Sequence, residues 1–151
     1  MYRHFGSRDG LLAEVLLQIY EESFDQQFNA VRRLLDGSGP ISEDDVVDSV
    51  PLPHGGVSAK QHAVRSQVLA VAGTNPILRA KLGESLRTRR MLLGQLMNEI
   101  DSRLPDGVTL DREVLAAYVF NLNWQYNDLL GDWSVTNEQY RTLLRRTIFS
   151  R

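Results

Sequence analysis

The chain has 151 residues, of which 42% are hydrophobic and 24% charged, and it contains no cysteine. These values are typical of one globular domain with a sizeable core, and they exclude disulfides and thiolate chemistry. The formal net charge of −2 gives no overall field that attracts nucleic acid, so DNA binding would need a local basic patch. No apolar segment approaches the roughly 20 residues that span a bilayer, and no signal-peptide pattern is present. We therefore expect a cytoplasmic protein without a membrane partner.

The first dozen residues predict the end of one helix, a tight glycine turn and the capped start of a second helix. Ser7 suits the N-cap position, because its hydroxyl can accept a hydrogen bond from a backbone N–H that the helix leaves free. Asp9 places negative charge in the first turn, where the helix dipole favours it. Three side chains on the outside of the bend carry donors suited to a phosphate backbone: Tyr2, His4 and Arg8.

The run Tyr-x-His-Phe-x-Ser-Arg-x-x-Leu-Leu over residues 2–12 resembles a junction found in TetR-type transcriptional regulators. In that family it joins the recognition helix of a helix-turn-helix domain to the first helix of the ligand-binding domain. The resemblance implies an all-α fold, with residues 1–6 as the remnant of the DNA-reading domain and 7–151 as a helical ligand-binding and dimerisation domain. It also implies that Phe5 and Leu12 pack in the core of the small domain, and that three side chains contact DNA phosphates: Tyr2, His4 and Arg8.

Met1 stands where the recognition helix of that family would be in mid-course. The side chains that read bases lie early in such a helix, so we expect the start codon to be placed too late or the chain to be a fragment of a longer regulator. The alternative interpretation of the motif is a plain helix end and turn, in which the aromatic side chains belong to the core.

The first long helix is predicted from Arg8 to about Leu35, because apolar residues recur at helical spacing and Gly37 is a natural stop. An aromatic column follows every fourth position of this helix. Core packing is one interpretation of the column. The family resemblance favours another, in which the column and a later tryptophan line a pocket for a small apolar or aromatic effector: Tyr20, Phe24, Phe28 and Trp124.

Weak chemical signals follow in the middle of the chain. The acidic run at 43–48 offers hard oxygen ligands, but it lacks the spacing of a calcium loop and fits a dipole-compensating helix start better. The His-Gly-Gly run at 54–56 is found in oxyanion holes, but no G-x-S-x-G elbow accompanies it. The three histidines are widely spaced and lack the pairing of a metal site. We therefore predict no catalytic residue, metal or cofactor, and a protein that is not an enzyme.

A further helix is predicted to start with a capping box of Ser58 and Gln61 and to end at Gly73. On this helix we expect His62 and Arg65 to face solvent.

Asn75 and Pro76 then fit the N-cap and first position of a longer helix. Its basic side chains have no interleaved aromatic residues, so we expect a solvated or salt-bridged face rather than a nucleic-acid patch: Arg79, Lys81, Arg87, Arg89 and Arg90.

Two C-terminal helices are predicted at about 111–130 and 136–149, the second opened by a capping box of Thr136 and Gln139. The first is apolar on more than one side, so it must be buried on more than one side. Paired with their copies, the two helices would form the four-helix interface of a homodimer, as in TetR-like proteins. The alternative is that they close the core of a single chain. The predicted interface residues are Phe120, Asn123, Leu130, Leu143, Leu144 and Ile148.

The combined expectation is a ligand-responsive, DNA-binding transcriptional regulator of TetR type, acting as a repressor. Its partners would be a second copy of itself, a small effector and, in the full-length protein, operator DNA. The alternative is a helical small-molecule-binding module that dimerises and does not bind DNA on its own.

Overall fold

The computed structural model describes residues 6–52, 58–120 and 135–151. They are mostly helical, which confirms the predicted all-α class at that level. Among the described helices, none is both long enough and apolar enough to cross a bilayer. The elements in chain order are α1 (Arg8–Arg33), α2 (Glu43–Ser49), α3 (Ser58–Ala72), α4 (Pro76–Asp101), β1 (Thr109–Leu110), α5 (Arg112–Phe120), α6 (Asn137–Thr147) and β2 (Phe149–Ser150).

Helix α1 is a continuous helix of 26 residues that begins where the sequence predicts. The Ser7 side chain accepts a hydrogen bond from the Gly10 N–H at 3.0 Å, which confirms the N-cap. Gly6 has a φ of +76°, a conformation that glycine adopts without steric cost, so the chain can turn sharply just before the cap. The helix ends at Arg33, slightly before the predicted end near Leu35.

Helices α1 and α4 pack side by side and run in the same direction. At their N-terminal ends, the Asn75 side chain donates to the Asp9 carbonyl at 3.3 Å. Beyond their C-terminal ends, Arg103 Nη2 donates to the Gly37 carbonyl at 2.6 Å. Since α4 follows α3 after a short turn, α3 runs antiparallel to α1 and contacts both long helices.

The start of α4 follows the predicted cap. The Asn75 side chain accepts from the Leu78 N–H at 3.0 Å, and Pro76 occupies the first turn. After α4, the Val108 N–H donates to the Pro105 carbonyl at 3.0 Å, and Gly107 has the positive φ of +81° that a type II turn requires at its third position. The run Pro105-Asp106-Gly107 is itself typical of a turn, and the structure confirms that one forms here.

Helix α3 confirms one expectation and corrects another. It begins at Ser58, as predicted, and ends at Ala72, next to the predicted stop at Gly73. Arg65, expected to face solvent, is only 5% exposed. Its guanidinium packs against Ser23 and Phe24 of α1.

The C-terminus forms a short ladder that the sequence did not predict. Strands β1 and β2 pair antiparallel, with Thr109 opposite Ser150 and Leu110 opposite Phe149. Helix α6 consequently ends at Thr147, slightly earlier than expected. Its predicted capping box is present, with hydrogen bonds in both directions between Thr136 and Gln139.

Helix α6 also corrects part of the predicted subunit interface. Leu144 and Ile148 are both 0% exposed within the single chain, where they join the core that includes Val46 and Val47 of α2. Because neither side chain has surface left, they close the core of the chain and are not available to a second copy. Leu143 is partly buried and packs against the same core.

Phe120, another predicted interface residue, is partly buried and packs against the core at the end of α5. Asn123 and Leu130 lie outside the described residues.

Candidate functional site

A groove of about 450 Å³ follows the line where α1 and α4 meet. Because the two helices are parallel, each turn of α1 lies beside one turn of α4 along the groove. The lining combines charges of both signs and hydroxyls with a few leucines. It includes Glu21, Asp25, Lys81, Ser85, Thr88 and Arg89.

Two contacts between α1 and α4 fix the position of one helix along the axis of the other. Lys81 forms an ion pair with Glu14 near the N-terminal ends. One turn further along α4, Ser85 Oγ donates to Glu21 Oε1 at 2.7 Å. These contacts place a carboxylate and a hydroxyl at the centre of the groove, where a ligand with polar groups can find both donors and acceptors.

Arg89 lies at the next level of the groove and contacts α1 through one nitrogen. Its Nη2 donates to the Glu21 carbonyl at 2.9 Å and lies 3.5 Å from Asp25 Oδ1. Its Nε is buried and has no hydrogen-bond partner among the described residues. The guanidinium carbon lies 5.5 Å from the ring centroids of both Phe24 and Phe28. Arg89 therefore stands between the polar groove and the aromatic core.

The aromatic column of α1 lies in this core and not in the groove lining. Tyr20, Phe24 and Phe28 are all buried, and the Tyr20 and Phe24 rings meet edge to face at 5.1 Å. The Phe120 ring lies 6.3 Å from Phe24 and 6.2 Å from Phe28. This placement agrees with the core-packing interpretation, and the three rings do not line the groove described here. Trp124 lies outside the described residues.

Arg65 of α3 covers the same column from another helix. Its guanidinium carbon lies 3.9 Å from the Phe24 ring centroid, within the range of a cation–π contact. Its Nε donates to Ser23 Oγ at 2.8 Å, and its Nη2 donates to the Ser23 carbonyl. These contacts offset part of the free energy needed to remove the guanidinium from water. They explain how an arginine can be buried at this position.

The basic residues of α4 are mostly engaged with the protein itself. Arg79 donates to the Ala72 and Gly73 carbonyls at the end of α3, at 3.2 and 3.1 Å. With the Lys81 ion pair and the Arg89 bonds, this accounts for three of the five predicted basic side chains. The arrangement supports the expectation of a paired face and not a nucleic-acid patch.

The acidic run of α2 forms a helix start. The Asp45 N–H donates to Ser42 Oγ at 3.1 Å, while the Ser42 N–H donates to Asp45 Oδ2 at 2.9 Å. Hydrogen bonds from the Ser42 hydroxyl and backbone lower the pKa of Asp45. Within residues 6–52, 58–120 and 135–151, no group of three acidic or histidine side chains is placed to hold a metal ion.

Of the predicted DNA-backbone contacts, Arg8 is exposed in the first turn of α1. Tyr2 and His4 lie outside the described residues.

The groove was not predicted, although the sequence holds a signal for it. Lys81, Ser85 and Arg89 recur every fourth residue of α4, and Glu21 and Asp25 do so on α1. Such rows at helical spacing show that each helix has one polar side, and the charges on the two sides are complementary. The sequence alone does not show which rows are aligned.

The chain was compared with protein-family models, with curated proteins and with solved structures, and none of the three comparisons found a match.

Proposed function

We propose that this chain is the effector-binding part of a ligand-responsive transcriptional regulator of TetR type, which represses transcription in its full-length form. One observation carries the proposal. Helix α1, which forms one wall of the groove, starts at the Ser7 cap directly after the turn that resembles the DNA-binding junction. A single helix of about 39 Å would thus link an effector site to the DNA-reading helices.

In the proposed mechanism, the protein exchanges between two orientations of α1 relative to α4. An effector in the groove that binds one orientation more tightly shifts the population toward it. In a dimer, this changes the spacing of the two DNA-reading heads. A coupling free energy of about 1–3 kcal/mol is enough for useful regulation.

The lining of the groove changes the class of effector that we propose. Glu21, Asp25, Lys81 and Arg89 carry charges of both signs, and the serine hydroxyl lies between them. This environment suits a small polar molecule with charged groups better than the apolar or aromatic effector that the buried column suggested. Leu17 and Leu92 of the lining give a short apolar part of the effector a surface to pack against.

We retain the homodimer as part of the proposal, on a narrower surface than the sequence suggested. With Leu144 and Ile148 in the core of the chain, the predicted contacts among described residues are Phe120 and Leu143. Sedimentation equilibrium of the wild type and of Leu143→Glu tests this part: a dimer that becomes a monomer supports it, whereas a wild-type monomer contradicts it.

The central test is an electrophoretic mobility shift with the DNA on either side of the gene. The protein is expressed from the longest open reading frame that contains these 151 residues. We expect a specific complex that competes with unlabelled flanking DNA but not with unrelated DNA. A folded protein that binds no flanking DNA at low salt would contradict the regulator and favour the binding module.

The effector site is tested separately by native mass spectrometry of the purified protein. A co-purified small molecule should be present in the wild type and absent from Ser85→Trp, which fills the centre of the groove. Thr142→Trp, on the remote helix α6, is the matched control and should retain the molecule. Equal retention by both variants would place the ligand elsewhere.

A further inference from the structure

We propose that residues 20–25 of α1 form a hinge, and that Arg65 and Arg89, hereafter the arginine clamp, hold it straight. The inference goes beyond the proposed function, because it concerns the mechanics of the helix and needs neither DNA nor an effector.

The first observation is that three backbone carbonyls within one turn of α1 accept side-chain hydrogen bonds. Ser23 Oγ donates back to the Tyr20 carbonyl at 2.5 Å, Arg89 donates to the Glu21 carbonyl, and Arg65 donates to the Ser23 carbonyl. An α-helix uses these carbonyls for its own hydrogen bonds to the residue four positions later. Ser23 shares the Tyr20 carbonyl from within α1, and such back-bonding by a serine is a recognised cause of helix bending. The backbone of α1 is therefore easiest to bend in this turn, while the two arginines, which belong to other helices, tie the turn to its neighbours.

The second observation is that the clamp arrives from two different helices and closes on one ring. Arg65 belongs to α3 and Arg89 to α4, and both guanidinium groups lie over Phe24, at 3.9 and 5.5 Å. The same turn is thus bound to both neighbouring helices. Loss of either arginine frees one side of the hinge.

The third observation is that the two halves of α1 are buried to different extents. Beyond the hinge, Phe28 and Val31 are buried. Before it, Ala13 is buried, but the larger Leu12, Val15 and Ile19 are 42, 48 and 38% exposed. The N-terminal half is tied to α4 by the Asn75–Asp9 hydrogen bond and the partly exposed Lys81–Glu14 ion pair. Since such exposed pairs contribute little and buried apolar area is the main source of packing free energy, this half is held less firmly than the C-terminal half. Bending at the hinge would therefore move the N-terminal half.

The fourth observation is that Arg89 Nε has no acceptor among the described residues. A buried donor without an acceptor lowers the stability of the folded state, and the clamped position of Arg89 leaves this donor unused. Its bond to Asp25 is also long, at 3.5 Å. Arg89 lines the groove, so an acceptor that enters there competes directly for the guanidinium. On binding such an acceptor, Arg89 would leave its position on α1, and the clamp would open.

The test is hydrogen exchange followed by mass spectrometry on the full chain, comparing the wild type with Arg89→Gln. We expect exchange at the amides of residues 24–28 to accelerate about tenfold, because these amides donate to the hinge carbonyls. Amides of α4 should change less than about twofold. The matched control is Arg87→Gln, an exposed arginine on the same helix, which should leave α1 unchanged. Acceleration spread evenly over α1 and α4, or none at residues 24–28, would overturn the hinge.

A distance measurement tests the hinge independently of exchange rates. The chain has no cysteine, so spin labels can be attached at Val15→Cys and Asn29→Cys, two exposed sites on either side of the hinge. Double electron–electron resonance should give one narrow distance of roughly 21 Å between the backbone sites in the otherwise wild-type protein. Arg89→Gln should add a second population, and Arg87→Gln should not. A single unchanged distance in Arg89→Gln would overturn the hinge.

Discussion

Arginines link helices in two regions of this molecule, but their surroundings differ. Where α1, α3 and α4 meet, Arg65 and Arg89 are largely removed from water and lie over Phe24. Where α2 meets the C-terminal segment, the arginines form ion pairs at the surface. These pairs are Arg141–Asp48 at 3.1 Å, Arg145–Asp44 at 2.9 Å and Arg151–Glu43 at 3.0 Å.

The difference teaches where each region obtains its stability. Exposed ion pairs gain little, because water screens the charges and the long side chains lose freedom. The region of α2 and α6 must therefore depend on its apolar core, in which Val46, Val47 and Leu144 are 0% exposed. In the other region, the arginines are themselves part of the core. The same residue type thus supports the structure in one region and has little effect in the other.

The largest expected effect is the loss of the apolar core beneath α6. Leu144→Ala should lower the free energy of unfolding by about 3 kcal/mol, because it removes a fully buried side chain and leaves a cavity. Leu143→Ala, one position earlier and only partly buried, should cost clearly less. Urea unfolding followed by circular dichroism measures both. Equal losses would show that the core of this region is not organised around Leu144.

Arg65→Met should cost about 2 kcal/mol. Methionine keeps much of the apolar stem but loses the hydrogen bonds to Ser23 and the cation–π contact with Phe24. The control is Arg141→Met at the surface, for which we expect a change within about 0.5 kcal/mol. If the two substitutions have the same effect in urea unfolding, the contrast between the two regions does not hold.

Tyr140 of α6 gives a prediction for alkaline pH. Burial raises the pKa of Tyr140 above its ordinary value of 10.0, and the neighbouring Tyr118 raises it further. The folded state therefore keeps the hydroxyl proton to higher pH than the unfolded chain does. The stability that follows is complete below pH 10 and is lost as pH rises toward the folded-state pKa, with a slope of at most about 1.4 kcal/mol per pH unit.

Tyr140→Phe removes this titration and is the natural comparison. Denaturant unfolding between about pH 8 and 11 should show a steeper fall for the wild type than for the variant. Parallel curves would mean that the tyrosine ionises equally in both states, and that the core around α6 admits water.

The smallest effect is expected from the surface pairs. Arg145→Gln should change the free energy of unfolding by less than about 0.5 kcal/mol, and the change should shrink as added salt shortens the screening length. Arg65→Met should show no such salt dependence, since its contacts are buried. A loss near that of Leu144→Ala would show that the ion pairs, and not the core, hold α6 in place.

Helix starts could be predicted because their signals are local. The caps at Ser7, Asn75 and Thr136 are all present, and each is a hydrogen bond between residues three apart in the chain. The long helices and the turn at Gly107 followed from the same kind of signal. The short ladder of β1 and β2 did not, because it joins residues about 40 positions apart and each strand has only two residues.

The candidate site could be predicted only in part. The spacing of Tyr20, Phe24 and Phe28 correctly indicated one face of α1, but that face is filled by Phe120 and the arginine clamp. Arg65 was assigned to solvent because charge usually indicates an exposed position. Its burial depends on Ser23 and Phe24, which lie about 40 residues away in the sequence and become neighbours only after folding.

The sequence by itself determined where the main helices begin, which of their faces are apolar, and that α1 starts at the Ser7 cap. The tertiary structure alone decided that α4 lies parallel to α1, that Ser85 faces Glu21, and that α6 closes the core of its own chain. The physical reason is the range of the interactions. Hydrogen bonds within a helix span three or four residues, whereas the alignment of two helices depends on a translation and a rotation that a repeating pattern does not specify.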